Sequence, residues 1–259
     1  IIRISRGKTI MLNDNDFMRY SRQVMLEDIG LEGQTKIQQA RVLIIGLGGL
    51  GSPASLYLAG AGVGELILVD DDNLHVSNLQ RQILYRTQDI PDAKSDIAKQ
   101  ALLALNPDIK ITTYKQRVND DFLSTLLQNI DLVLDCTDNM STRQAINRIC
   151  VKQQIPLISG SAVGFSGQLI VFEPPFIHGC YHCLYPDNKE PQRNCQTAGI
   201  LGPVVGVIGT LQALEAIKLL AGLPSTLSGK LRLFDGRKQN WSTLRLTPSK
   251  NCPVCRGLA

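Results

Sequence analysis

Apolar residues near the start of the chain recur at helical intervals, which places Phe17, Tyr20 and Val24, with Met25 beside them, on one face of a helix predicted over 16–26. A second short helix is predicted over 33–40. The pattern then changes. RVLIIG at 41–46 is a short continuous apolar run, rich in β-branched residues and bounded by glycine, which predicts a buried parallel strand. A helix over 49–61 and a strand over 65–69 complete a β-α-β unit, whose second strand runs into Asp70, Asp71 and Asp72.

The same rhythm continues, with a helix over 93–105 stopped by Asn106 and Pro107, a strand over 109–114, a helix over 120–129 and a strand over 131–136. The turn Thr137, Asp138, Asn139 then opens a helix to about residue 153, whose N-terminus offers unpaired N–H groups to an anion. Strands alternating with helices at this spacing predict an α/β fold with a Rossmann-like, doubly wound, mostly parallel sheet.

After Pro156 the spacing shortens to strands over 157–161 and 167–172, a polar stretch over 174–197, a helix over 204–221 and strands over 230–234 and 242–246. These read as antiparallel additions to the same sheet. The expected organisation is one domain over 11–259, with N-terminal helices over 11–40, a core over 41–155 and a C-terminal part over 156–259. Residues 1–10, IIRISRGKTI, are read as a leader set apart from the fold.

Composition narrows the function classes. The chain has 259 residues, 44% hydrophobic and 19% charged, and 27 Lys and Arg against 23 Asp and Glu give a net charge of +4. Basic residues are interspersed and aromatic ones sparse, so no nucleic-acid-binding stripe or base-stacking surface is expected. The longest nearly charge-free stretch, 198–214, falls short of the roughly 20 apolar residues that span a bilayer. With no secretory signal visible either, no membrane partner is expected and a cytoplasmic location is the default.

The strongest chemical signal is GLGGLG at 46–51 after a strand. In such a loop Gly46 allows the tight turn, Gly48 lets the backbone approach a phosphate, and Gly51 lets helix and strand pack closely. An acid at the end of the following strand accepts a ribose hydroxyl, a place that Asp70 or Asp72 fills. The glycines alone leave NAD, FAD and ATP open. Asn78 and Arg81, with Lys94 further on, favour phosphoryl or nucleotidyl chemistry, where charge spreads over phosphate oxygens. Taken singly, Arg81 and Lys94 are better read as solvated surface charges. Asp138, just past a strand end, could hold Mg2+ or cap the helix it precedes.

Seven cysteines include two CxxC pairs, Cys180/Cys183 and Cys252/Cys255. Together they can supply four thiolates to one structural zinc, and sixty-eight residues lie between the pairs, so the metal would tie the tail back onto the crossover. Two independent redox pairs remain the alternative. Cys136 and Cys150 read as core residues, and His182, inside CYHC, as lying beside the metal rather than on it. Cys195, in a polar stretch near Arg193, is either a reactive thiolate or an idle loop thiol.

These motifs, with RYSRQ at 19–23, SNLQRQ at 77–82 and LDCTDN at 134–139, resemble the ThiF/MoeB family of adenylyltransferases, relatives of the ubiquitin-activating enzymes. The resemblance spans Asp16 to Cys255 and is strongest to the ThiF branch. It implies ATP-dependent adenylation of the C-terminal glycine carboxylate of the sulfur carrier ThiS, with release of pyrophosphate, as a step towards the thiocarboxylate used in thiamine thiazole synthesis. MoaD, the carrier of the MoeB branch, is the alternative partner. ATP, Mg2+ and a structural zinc are implied as cofactors, and a homodimer and a sulfur donor protein as partners.

By the same resemblance Gly46, Gly48, Gly49 and Gly51 cradle the nucleotide, and Asp70 binds ribose. Asn78, Arg81 and Lys94 hold the phosphates, and Asp138 binds Mg2+. Arg22 is supplied to the neighbouring subunit's ATP as an arginine finger, and Cys195 takes up the activated carrier. A nucleotide-binding protein without turnover and a nicotinamide- or flavin-linked oxidoreductase are the rival readings.

Overall fold

The computed structural model describes residues 12–187 and 198–256. Its centre is an eight-stranded sheet in the order β3-β2-β1-β4-β5-β6-β7-β8. The strands are β1 (Arg41–Ile45), β2 (Glu65–Val69), β3 (Lys110–Tyr114), β4 (Leu132–Asp135), β5 (Leu157–Val163), β6 (Ser166–Phe172), β7 (Lys230–Asp235) and β8 (Asn240–Arg245). The first five run parallel and the last three are added antiparallel. The helices are α1 (Asp14–Val24), α2 (Gly30–Gln39), α3 (Gly51–Gly60), α4 (Lys94–Leu105), α5 (Asp120–Leu126), α6 (Met140–Gln153), α7 (Tyr181–Leu184) and, after the undescribed segment, α8 (Gly202–Ala221).

Because side chains alternate across a strand, each parallel strand feeds two cores. Val42 and Ile44 of β1 join Leu66 and Leu68 of β2 under α2, α3, α4 and α8, while Leu43, Ile45, Ile67 and Val69 face α5 and α6. Burial on both faces accounts for the unbroken apolar runs that predict these strands. At the N-terminal ends of β1, β2 and β3, Glu65 bridges Arg41 at 2.7 Å and Lys110 at 3.0 Å.

The connection reverses direction between β1 and β4, which pair directly, with Ile45 opposite Asp135. In an open α/β sheet the crevice at such a reversal, beyond the carboxyl ends of the strands, is where ligands bind. The loops after β1 and β4 therefore meet at the position that matters.

α8 is long and apolar enough to cross a membrane by length and composition, with a mean hydropathy of 1.7, but 61% of that window is buried inside the protein. It packs on α2, α3, β5 and β6. Gly209 permits this approach, since a Cβ there would lie 2.3 Å from the Leu50 carbonyl oxygen.

Two expectations need correction. Phe17 is 48% and Met25 71% exposed, so the buried stripe of α1 narrows to Tyr20, which fits against Gly62 and accepts a hydrogen bond from Asn106 at 2.8 Å. The helix also starts earlier than the periodicity predicts, because Asn13 and Asp16 form a reciprocal capping box.

Candidate nucleotide and metal sites

The glycine loop joins β1 to α3. Gly46 has φ +90°, and a Cβ on it would lie 2.6 Å from the Cys136 carbonyl oxygen, so only glycine lets the β1 loop pass this close to the end of β4. A Cβ on Gly51 would meet the Gly46 carbonyl at 2.0 Å, which fixes the third glycine for the same reason. Gly49 packs on Val205 of α8 and on the Arg81 stem. The loop is braced by Tyr85, whose buried hydroxyl donates to the Leu47 carbonyl at 2.8 Å.

Asp70 closes the acidic side. One of its oxygens accepts from the Leu47 N–H at 2.7 Å and the other from the Asp72 N–H at 2.9 Å. Each oxygen keeps a second acceptor site for a ligand hydroxyl. Burial pushes the Asp70 carboxyl above its ordinary value, against the pull of Lys94 and the two N–H groups. Asp72 is more exposed and takes the Lys94 ammonium at 2.7 Å, while Lys94 itself is only 5% exposed. Lys94 opens α4, and its ammonium retains further donors.

Asn78 and Arg81 stand on the turn after β2. The Asn78 side chain accepts from the His75 N–H at 3.1 Å, and the Arg81 guanidinium donates to the Ser77 carbonyl at 2.9 Å. Across the crevice Asn139, not Asp138, caps α6, accepting the Thr142 N–H at 2.9 Å. Asp138 is exposed just before this cap, on the loop after β4. Asp70, Asp72, Asn78, Arg81, Lys94 and Asp138 thus come from four segments that border the glycine loop.

Arg22 is placed elsewhere. Its neighbours Tyr20 and Gln23 are anchored at Gly62, Asn106 and the Ala61 carbonyl, at the C-terminal end of α3. The glycine loop lies at the other end of this ten-residue helix, about 15 Å away at 1.5 Å per residue. Cys195 lies outside the described residues.

Sequence reasoning misses a buried network beneath Asp138. Asp135, 1% exposed, accepts from the Thr137 N–H and hydroxyl at 3.0 and 2.7 Å and from the Ser159 hydroxyl at 2.7 Å. Arg143 of α6 approaches Asp135 at 3.9 Å and donates to the Thr137 and Gly160 carbonyls. Burial opposes its charge, but Asp135 and Tyr181 outweigh it and raise the Arg143 pKa. The signal available in the sequence is a carboxylate closing an otherwise apolar strand, LVLD.

The four CxxC thiols converge. Cys180 lies 3.8 Å from Cys252 and Cys183 3.5 Å from Cys255, sulfur to sulfur, and all four lie within 4.8 Å of one another. The two pairs meet in one cluster, against the reading of two independent redox pairs. A zinc tetrahedron with bonds of about 2.3 Å needs sulfurs about 3.8 Å apart, so the cluster fits the metal. Burial and the neighbouring thiols push Cys180 up to about 11. Asn147 of α6 donates to the Cys180 sulfur at 3.5 Å and accepts the Tyr181 N–H at 2.9 Å. His182 faces Gln144 at 3.3 Å, outside the thiol cluster. Cys136 and Cys150 are core residues, as expected.

A sequence model of the ThiF family matches residues 20–254. The chain is 61% identical over 246 residues to the sulfur carrier protein ThiS adenylyltransferase of Escherichia coli (strain K12), covering 95% of this chain and 98% of the relative. It is 44% identical to the molybdopterin-synthase adenylyltransferase of Salmonella typhimurium, over 94% of this chain and 98% of the relative. Among solved structures, Escherichia coli MccB with ATP superposes with a TM-score of 0.80 at 27% identity, over 95% of this chain and 75% of that one.

Proposed function

Because the chain belongs to the ThiF family, we propose that it is an ATP-dependent adenylyltransferase that acts on the C-terminal glycine carboxylate of a small sulfur carrier protein of the ThiS kind. The observation that carries this reading is the buried Lys94 ammonium, held by Asp72 beside the glycine loop. A protein that only binds a nucleotide gains little from burying a cation there, whereas transfer at phosphorus needs charge placed in advance.

In this reading Gly46, Gly48, Gly49 and Gly51 admit the phosphate chain to the loop, and Asp70 accepts from a ribose hydroxyl. Asp72 holds Lys94 in register. A carrier carboxylate oxygen attacks the α-phosphorus, the bond to the bridging oxygen breaks, and pyrophosphate leaves. Lys94, Arg81 and Asn78 stabilise the charge that develops on the phosphate oxygens. Asp138 offers the hard oxygen that Mg2+ prefers, and the ion neutralises phosphate charge when bound. The product is an acyl-adenylate whose carbonyl is open to a sulfur nucleophile. Cys195 is assigned that later step, with a separate sulfur donor protein.

Arg22 lies too far from its own glycine loop to join this chemistry, which supports its service to the site of a second copy in a homodimer. The zinc cluster joins the tail to α7 and fixes the surface beyond β6. A supply of ATP and reduced thiols suits the cytoplasm.

The test is exchange of pyrophosphate into ATP by the zinc-loaded chain with Mg2+, comparing no carrier, ThiS and MoaD. Exchange that depends on ThiS is expected. Exchange with MoaD alone would move the chain to the other branch, and exchange with neither would leave only nucleotide binding.

A further inference from the structure

Among the described residues, the buried glutamines Gln34, Gln144 and Gln212 are bonded at both ends, whereas Gln82 beside the glycine loop and the half-buried Gln38 each keep a buried Oε1 without a partner. The Gln34 oxygen accepts from Gln23 at 2.8 Å while its nitrogen donates to Ala61 at 3.0 Å. Gln144 bonds His182 and the Tyr185 carbonyl, and Gln212 bonds Cys136 and the Asp135 carbonyl. Gln82 is as buried, at 3% exposed, yet its Oε1 has no hydrogen-bond partner among the described residues. A buried carbonyl oxygen left in this state costs stability.

Its location explains the cost. The turn that holds Gln82, whose N–H donates to Asn78 at 3.0 Å, sets consecutive residues against consecutive glycines. The Arg81 stem lies 3.4 Å from where a Cβ would project from Gly49, and the Gln82 Nε2 lies 3.5 Å from the same point on Gly48. Gly48 is the glycine whose missing side chain lets a phosphate approach the backbone. What singles out Gln82 is its Nε2, a donor placed at the Gly48 backbone with no protein acceptor bonded to it among the described residues, while its Oε1 is left for water.

We propose that Gln82 is a further nucleotide-contacting residue, whose carboxamide turns toward the phosphate chain of the nucleoside triphosphate on the glycine loop. Its Nε2 donates to a phosphate oxygen, and its Oε1 moves into reach of the water around that chain. This rests on the adenylation reading above and adds a residue to its binding site. Gln82 is therefore kept at the expense of the free protein's stability, as binding groups often are.

The full zinc-loaded chain tests this with Gln82→Met, which keeps the volume and removes both polar ends. Thermal melting without nucleotide should move upward, because a partnerless acceptor is gone. Calorimetric titration with ATP and Mg2+ should show binding weakened about tenfold. Gln82→Asn, which keeps the amide but shortens its reach, should weaken binding without raising the melting temperature. Wild-type binding that Gln82→Met matches, or a Gln82→Met protein that melts lower than wild type, would overturn the proposal while leaving adenylation standing. A wild-type chain that binds no ATP would remove the adenylation reading itself, and this proposal with it.

Discussion

Arg81 and Asp138 approach the glycine loop from opposite sides of the sheet's reversal, and neither is part of a core. Replacing either with alanine should lower pyrophosphate exchange by about 10²–10³-fold, the usual loss when a preorganised charge is removed. Stability should change by no more than about 1 kcal/mol, as for other surface substitutions. Exchange kinetics beside a denaturant titration check both parts, and an unchanged exchange rate would take that residue out of the site. The same locations show what a residue pattern can reveal. Glycines before an acid announce a nucleotide loop because backbone clearance and ribose contact each restrict residue type. Tyr85 and Gln82 carry no such restriction in their neighbours, and their relation to Leu47 and Gly48 exists only once the turn after β2 is folded.

At the level of elements, the parallel strands meet at Glu65, where three N-terminal strand ends share one carboxylate. Burial raises its pKa, but the bonds to Lys110 and Arg41 outweigh burial and hold it below its ordinary 4.5. A carboxyl depressed in the folded state adds stability above its unfolded value, and that contribution is lost as pH falls through the folded one. Wild type should therefore lose more stability than Glu65→Gln between about pH 5 and pH 3, read from denaturation midpoints across that range. Equal slopes for the two proteins would show the bridge to be energetically idle. Elements with an internal rhythm are legible in advance, which is why β1, α3, β2 and α6 fall within about three residues of expectation. The four-residue α7 has no rhythm to read. It exists because Cys180 and Cys183 flank a turn that Asn147 holds from another helix.

For the whole molecule, the separation of Arg22 from its own loop gives a test that needs no structure of an assembly. Arg22→Ala and Arg81→Ala should each fail in exchange alone. Mixed and allowed to re-associate, they should recover about a quarter of wild-type activity, because half of random dimers are mixed and each of those holds one intact site. No recovery on mixing, from variants shown to exchange subunits, would place Arg22 outside the reaction.

The thiol cluster also has a meaning in time. Cys183 and Cys255 are 72 positions apart, so the second half of the metal site is made well after the first. A growing polypeptide that has already formed its nucleotide crevice still holds only two of four sulfurs. Tight capture of zinc therefore marks a chain that has been made past Cys255, and a culture starved of the metal should accumulate protein whose segment from β7 to Cys255 is open to proteases.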